Sequence, residues 1–161
     1  MNDPKVSRPY IPGYGIAAAN EGAGLLPWSW AEDRLAAAHN YWVAVTRSDG
    51  RPHLTPVWGV WFADAFWFST GGGVKMRSLA ANPRCVISTE RADEAVIVEG
   101  DATPAVDAAR LREVVRKYNA KYSWNFEPEQ EGFYIVMPRV VFGFIEHADQ
   151  FAGSATRWTF E

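Results

Sequence analysis

The residues from Tyr41 to Pro83, YWVAVTRSDGRPHLTPVWGVWFADAFWFSTGGGVKMRSLAANP, leave little freedom in what the chain can fold into. Tyr41 to Thr46 alternates large apolar residues and then meets Ser48-Asp49-Gly50, whose Asp-Gly step tolerates the positive backbone angles of a tight hairpin. A second run, His53 to Phe62, follows directly, and the turn Ala63-Asp64-Ala65 leads into a third, Phe66 to Thr70. Aromatic and β-branched residues dominate these runs, which suits a half-buried antiparallel meander. Pro56 has no amide hydrogen, so its strand needs an open edge or a bulge there.

The meander runs into Gly71-Gly72-Gly73, after which Met76, Leu79 and Ala80 recur at the spacing of one helical face until Asn82-Pro83 stops the helix. Lys75 and Arg77 fall in its first turn. Basic residues there oppose the helix dipole unless an anion compensates, and free amides beside a permissive loop favour a phosphate. The same residues also read as a flexible connection followed by two solvated charges. The pattern is neither a Walker loop nor a dinucleotide fingerprint, so the local sequence leaves both readings open.

The rest of the chain arranges itself around this segment. Residues 1–28 read as an arm broken by Pro4, Pro9, Pro12, Gly13 and Gly15, with Tyr10, Tyr14, Trp28 and Trp30 as anchors for packing on the domain or a partner. Within 29–40, Ser29 and Glu32 have capping-box spacing and Ala31, Leu35 and Ala38 share a face, which predicts a short helix from Trp30 to about His39. Arg84 to Glu90 and Ala95 to Thr103 read as strands, with Gly100 marking a bulge or a close approach. Asp107 is placed to cap a helix whose apolar face is Leu111, Val114, Val115, Tyr118 and Tyr122. Ser123 to Gly132, with Pro128 in its middle, reads as an acidic loop near a pocket or dimer edge. Phe133 to Val136 and Val140 to Glu146 read as two last strands around Pro138-Arg139.

Composition excludes several classes. A chain of 161 residues with 48% apolar content makes one domain with a real core, and no apolar run approaches the length of a membrane helix. A net charge of −3 without a basic tract lacks the footprint of a nucleic-acid binder. The single Cys85 forms no internal disulfide and reads as a buried inert thiol; with no signal peptide, the expected location is cytoplasmic. His39, His53 and His147 are too scattered for a local ligand motif, so no metal is expected, and Ser69 and Ser78 lack a nucleophile elbow. Eight tryptophans exceed what a small core usually requires, which points to an interface or a flat ligand, although packing alone can absorb most of them.

The hairpin with Gly50-Arg51-Pro52-His53-Leu54-Thr55-Pro56-Val57-Trp58, the strand ending Phe68-Ser69-Thr70, Lys75 with Leu79 and Asn82-Pro83, and the closing Ala155-Thr156-Arg157-Trp158-Thr159-Phe160 occur here in a familiar order. From about Gly15 onward the chain resembles the pyridoxamine 5′-phosphate oxidase-like split-barrel flavoproteins, and more narrowly their actinobacterial branch that uses the deazaflavin coenzyme F420. The resemblance implies a mainly β fold with peripheral helices (α+β), an antiparallel six- or seven-stranded split β-barrel that is homodimeric. It implies one domain over residues 1–161, with the barrel and its inserted helices over 41–147 and a C-terminal segment, 148–161, near the cofactor of the partner subunit.

The resemblance also implies roles. The strand holding His53, Thr55, Pro56, Val57 and Trp58 lines the flavin or deazaflavin ring, Ser69 and Thr70 reach the ribityl and phosphate part, and Lys75 binds phosphate with Arg77 as a lesser candidate. Arg157 and Trp158 are implied ligands contributed across the dimer; on pattern alone Trp158 and Phe160 read equally as a C-terminal strand or tail that packs on the barrel, while Arg157 is harder to explain as core. Related oxidases carry an arginine near the place of His53 and a lysine near that of Trp58. Neither cation stands there in this sequence, which ranks F420 ahead of flavin mononucleotide (FMN). The implied activity is an F420-dependent oxidoreductase that moves a hydride between the deazaflavin and a small unsaturated substrate. Tyr41, His53 and Tyr134 can donate a proton, with none singled out. An FMN oxidase or reductase drawing further cations from Arg51 or Arg84, and a coenzyme-binding protein without turnover, are the alternatives.

Overall fold

The computed structural model describes residues 3–18, 24–127 and 132–161, which form strand β1 (Lys5–Ser7), helix α1 (Trp28–Ala37), β2 (Asn40–Thr46), β3 (Pro52–Phe62), β4 (Ala65–Ser69), α2 (Val74–Ala81), β5 (Arg84–Thr89), β6 (Glu94–Pro104), α3 (Ala108–Tyr122), β7 (Phe133–Ile145), α4 (Ala148–Ser154) and β8 (Thr156–Thr159). The strands β7, β4, β3, β2, β5 and β6 follow one another around a ring that closes through the β6–β7 pair. All pairs are antiparallel, and β8 and β1 extend the sheet from β7. The fold is therefore mainly β with peripheral helices, a closed six-stranded barrel carrying two extra strands. No helix among the described residues is long and apolar enough to cross a membrane.

The turns of the meander are as the sequence predicts. Gly50 takes φ +83°, while Ala63 and Asp64 both sit at positive φ, the signature of a two-residue hairpin whose twist matches its strands. Closure depends on the long partners β6 and β7, which pair from Glu94↔Ile145 to Pro104↔Tyr134 with a register slip between Glu99 and Gly100. A Cβ on Gly100 would lie 2.3 Å from the Met137 carbonyl oxygen, so this is the close approach that the glycine foretold.

Three expectations need correction. The two last strands are one, Phe133–Ile145. Pro138 does not break it, because β4 pairs β7 only as far as Val136 and β8 begins at Val140, so no neighbour on that edge asks for the missing amide. Helix α1 begins at Trp28 rather than Trp30, with Pro27 at its N-cap and no side-chain cap, so Ser29 does not close a capping box. The Trp28 ring sets the start: it stacks edge-on against Trp61, Trp158 and Phe160 at 4.9 to 6.1 Å and draws its own residue into the first turn. In the arm, β1 pairs with β8, while Tyr10 and Tyr14 are 92% and 65% exposed and anchor little. Pro128 of the acidic loop lies outside the described residues.

Two apolar layers hold this together. The barrel interior contains Val43, Phe66, Phe68, Ile87, Val98, Val141 and Trp158, with Ala31 and Leu35 of α1 closing one end. A second layer places Val114, Val115 and Tyr118 of α3 on Val60, Trp67 and Phe133. Asp107 caps α3 as expected, accepting from the Ala109 and Arg110 amides at 2.9 and 3.1 Å.

Polar side chains of α3 also fix the place where β3 changes partner. Residues up to Trp58 pair with β2, and from Gly59 onward with β4. At that step the Tyr118 hydroxyl donates to the Trp58 carbonyl, the Gly59 amide donates to the Tyr122 hydroxyl at 2.9 Å, and Lys121 Nζ donates to the Gly59 carbonyl at 2.8 Å and to Tyr41 Oη at 2.9 Å. Tyr41 in turn donates to the Leu35 carbonyl at 2.5 Å, which ties α1 to the same point.

A Cβ at Gly59 would fall 2.3 Å from the Phe66 ring, so Gly59→Ala should cost about 1–3 kcal/mol in urea unfolding, the usual penalty for overpacking; unchanged stability would contradict the close approach. Burial pushes the Lys121 ammonium down to about 8, with Glu90 pulling the other way. The unfolded chain keeps that proton to about pH 10.4, so between roughly pH 8 and 10 it binds more protons than the folded chain, and stability rises with pH. Lys121→Met should lose this rise. Denaturation curves at about pH 7.5 and about 9.5 check it, and a parallel pH response in both proteins would refute the assignment.

Candidate functional site

Because β4 covers only Gly59 to Phe62, residues 52–58 of β3 have β2 on one side and no strand on the other. Beyond Ser69 the chain leaves the sheet through Thr70, whose amide donates to the Gly132 carbonyl at 2.9 Å, and enters α2 by the glycine loop. Gly73, at φ +134°, is the N-cap, and α2 then packs on β2. The barrel wall is thus split alongside the first half of β3, with the start of α2 close by.

Strand alternation divides the residues expected at the site between two faces. His53, Thr55 and Val57 stand opposite Val45, Val43 and Tyr41 and face inward, while Leu54, Pro56 and Trp58 face outward. Val57 is buried in the core. Thr55 Oγ1 is buried and has no hydrogen-bond partner among the described residues, an unusual state for a hydroxyl. Pro56 occupies the open edge that its missing amide requires. Trp58 is half exposed and meets Trp124 edge-on at 4.6 Å. Its face also carries the exposed Trp42 and Leu54, an apolar stripe across β2 and β3.

At the other lip, Ser69 is half-buried beside the Tyr118 hydroxyl, while Thr70 Oγ1 reaches the Gly71 carbonyl at 3.3 Å. Lys75 is half-buried, with Nζ 5.9 Å from the Phe68 ring centroid and no carboxylate or hydrogen-bond partner among the described residues. Burial alone pushes its ammonium below the ordinary lysine range. A cation partly removed from water without a counter-ion is poised for an anion. Arg77 lies on α2 as predicted, exposed and likewise without a carboxylate partner among the described residues.

The C-terminal pair separates. On β8 the burial alternates, so Arg157 is half-buried while Trp158 is fully buried on the opposite face. The indole fills the space left by Gly143, where a Cβ would lie 2.7 Å from it, and belongs to the core of its own chain. Of the possible proton donors, Tyr41 is buried and tied to Leu35 and Lys121, and Tyr134 is buried and stacked on Phe68 at 5.7 Å; His53 is half-buried. Cys85 is buried, its thiol pushed up to about 12, in keeping with an inert side chain.

Sequence reading missed Arg47. It continues the inward series Tyr41, Val43, Val45 by one more step of two, and that alternation was the signal that could have found it. Its Nη2 lies 3.2 Å from His53 Nδ1, so a guanidinium from β2's end occupies the neighbourhood of the position that lacks a cation of its own. Arg84 opens instead on a different cavity of about 490 Å³, shared with Asp101 and Arg139.

The pyridoxamine 5′-phosphate oxidase family model matches residues 31–142. Among solved structures, a conserved hypothetical protein of Mycobacterium tuberculosis superposes with TM-score 0.68 at 17% identity, covering 80% of this chain and 90% of that one. An F420 reductase does so with TM-score 0.54 at 22% identity, covering 75% and 98%. A FAD-binding protein of Mesorhizobium loti does so with TM-score 0.57 at 17% identity, covering 84% and 96%. A search of curated proteins found no match. At these identities the structures speak for the fold alone, but the family model spans well over half of the chain, and with the split barrel it places the protein in the pyridoxamine 5′-phosphate oxidase family.

Proposed function

We propose that the split between β3 and α2 holds F420 and that the protein is an oxidoreductase moving a hydride between this deazaflavin and a small unsaturated organic molecule. The observation that carries the reading is Lys75: a half-buried cation with no counter-ion among the described residues, at the head of α2 and beside the Phe68 ring. The orphaned Thr55 hydroxyl on the facing strand supplies a polar atom awaiting a partner, so the residues present suit a ligand that joins a flat ring to an anion. The motifs of residues 53–58, 69–75 and 155–160, and the F420 reductase among proteins of the same fold, support the deazaflavin.

In this reading Lys75 holds the phosphate, Ser69 and Thr70 face the ribityl chain, and His53 and Thr55 border the ring. When bound, the deazaflavin supplies the hydride chemistry; the side chains bind it, orient it and keep water from it. A second reading, FMN in the same cleft, is favoured by Arg47, which supplies beside His53 a cation that the sequence alone had seemed to lack.

The exposed stripe of Trp42 on β2 and Leu54, Pro56 and Trp58 on β3 runs to the unpaired edge of β3, and such surfaces are ordinarily covered. We assign it to a second copy of this chain, giving a twofold dimer in which Arg157 reaches toward the partner's cleft. Sedimentation should show a wild-type dimer and a monomer for Leu54→Glu; a monomeric wild type would contradict the assignment.

Fluorescence titration with F420 and FMN tests the cofactor. F420 should bind more tightly, and Lys75→Ala should weaken it by about 1.5–3 kcal/mol, the value of a charge-assisted hydrogen bond, while leaving the fold intact. An anion at Lys75 favours the protonated amine, so affinity should fall as pH rises through its lowered pKa. A folded Lys75→Ala protein with full affinity would contradict the phosphate role, and tighter FMN binding would move the protein to the second reading.

A further inference from the structure

A cavity of about 240 Å³ lies where the β2–β3 turn meets α2, and three guanidinium groups, those of Arg47, Arg51 and Arg77, line it together with Ser48, Asp49 and Ser78. Asp49 does not neutralise all three. Arg51 holds its carboxylate by two bonds, Nε and Nη2 to Oδ2 at 2.9 and 2.6 Å, and donates a backbone bond to Oδ1 at 3.1 Å. The carboxyl is accordingly held below the usual carboxylate range, chiefly by Arg51 and less by Arg47. Arg47 and Arg77 remain without a carboxylate of their own among the described residues.

Arg47 is also held in place before any ligand arrives. Its amide donates to the Arg51 carbonyl and its carbonyl accepts from the Gly50 amide, both at 2.9 Å, which pins its backbone in the hairpin. Its far end reaches His53, where Nη2 can donate to Nδ1 only if the ring is neutral with its proton on Nε2. Between these fixed ends Nε is buried with no partner among the described residues. A guanidinium N–H in that state is destabilising until something accepts from it. Arg77 lines the same cavity, so an anion there would meet two guanidinium groups that lack a carboxylate partner among the described residues.

We propose that Arg47 and Arg77 form an anion clamp for the phosphate group of the bound cofactor, and that His53 is the positioning residue that aims Arg47 rather than a ligand itself. The proposal rests on the cofactor reading above and deepens it: Arg77 of α2 and Arg47 of the hairpin grip the phosphate from the cavity they share, at the helix start that also carries Lys75, which does not line that cavity. This reassigns His53, which the family resemblance counted among the residues lining the ring.

The test compares wild type, Arg47→Ala, Arg47→Lys, His53→Gln and His53→Leu as folded apo-proteins, titrated with F420, FMN and riboflavin, which has FMN's ring and ribityl chain without the phosphate. Thermal melts in inorganic phosphate run alongside. Arg47→Ala should weaken the phosphate-bearing cofactor by about tenfold or more, as expected for losing a charge-assisted bond, and leave riboflavin binding unchanged. His53→Gln keeps an acceptor for Arg47 and should stay within about threefold of wild type, whereas His53→Leu should follow Arg47→Ala. Equal losses for riboflavin and FMN would make Arg47 merely structural and overturn the clamp, as would full cofactor affinity in Arg47→Ala. If the wild type binds neither cofactor yet inorganic phosphate raises its melting temperature and not that of Arg47→Ala, the clamp stands as an anion site and the cofactor reading falls.

Discussion

The change of partner along β3 at Gly59 is the constraint from which the rest of the structure follows. A strand paired on both edges along all eleven residues would close the barrel without a gap. Here the first half stays with β2, the second half goes to β4, and the wall opens beside residues 52–58. Gly59 permits the step because Phe66 fills the room that a side chain would take, and α3 fixes it by bonding the Trp58 carbonyl and both polar groups of Gly59. Helix α3 thus positions a site to which its own residues contribute little beyond the Tyr118 contact with Ser69.

The electrostatics of the opening follow from the same geometry. The chain carries a net charge of −3, yet three cations near the split, Lys75, Arg77 and Arg47, have no carboxylate partner among the described residues, while pairs such as Arg34–Glu94 and Arg91–Asp93 are satisfied elsewhere. Leaving charges unpaired and partly dry is unfavourable in the free protein. An anion near them would offset that cost.

Much of this was legible in the sequence because period-two alternation and turn chemistry act locally. The meander, its Asp-Gly turn, the Gly100 bulge, the Asp107 cap and the placing of Lys75 and Arg77 in a first helical turn are all decided within a few residues. What escaped depends on distant neighbours. Whether Pro138 ends a strand depends on where β4 stops and β8 begins, and the start of α1 depends on three aromatic rings far along the chain. Whether Trp158 packs or binds was open until the strand put it in the core, on the face opposite Arg157, and Arg47 gained meaning only when its guanidinium met His53.

The central claim is that a cofactor sits in the split with its anion at the start of α2. Amide hydrogen exchange measured with and without saturating F420, and separately with FMN, reads this at the backbone. Slower exchange confined to residues 70–77 and 52–58, with α3 and the β6–β7 ladder unchanged, is the predicted result. Protection confined to other elements, or none at saturation with either compound, would contradict it.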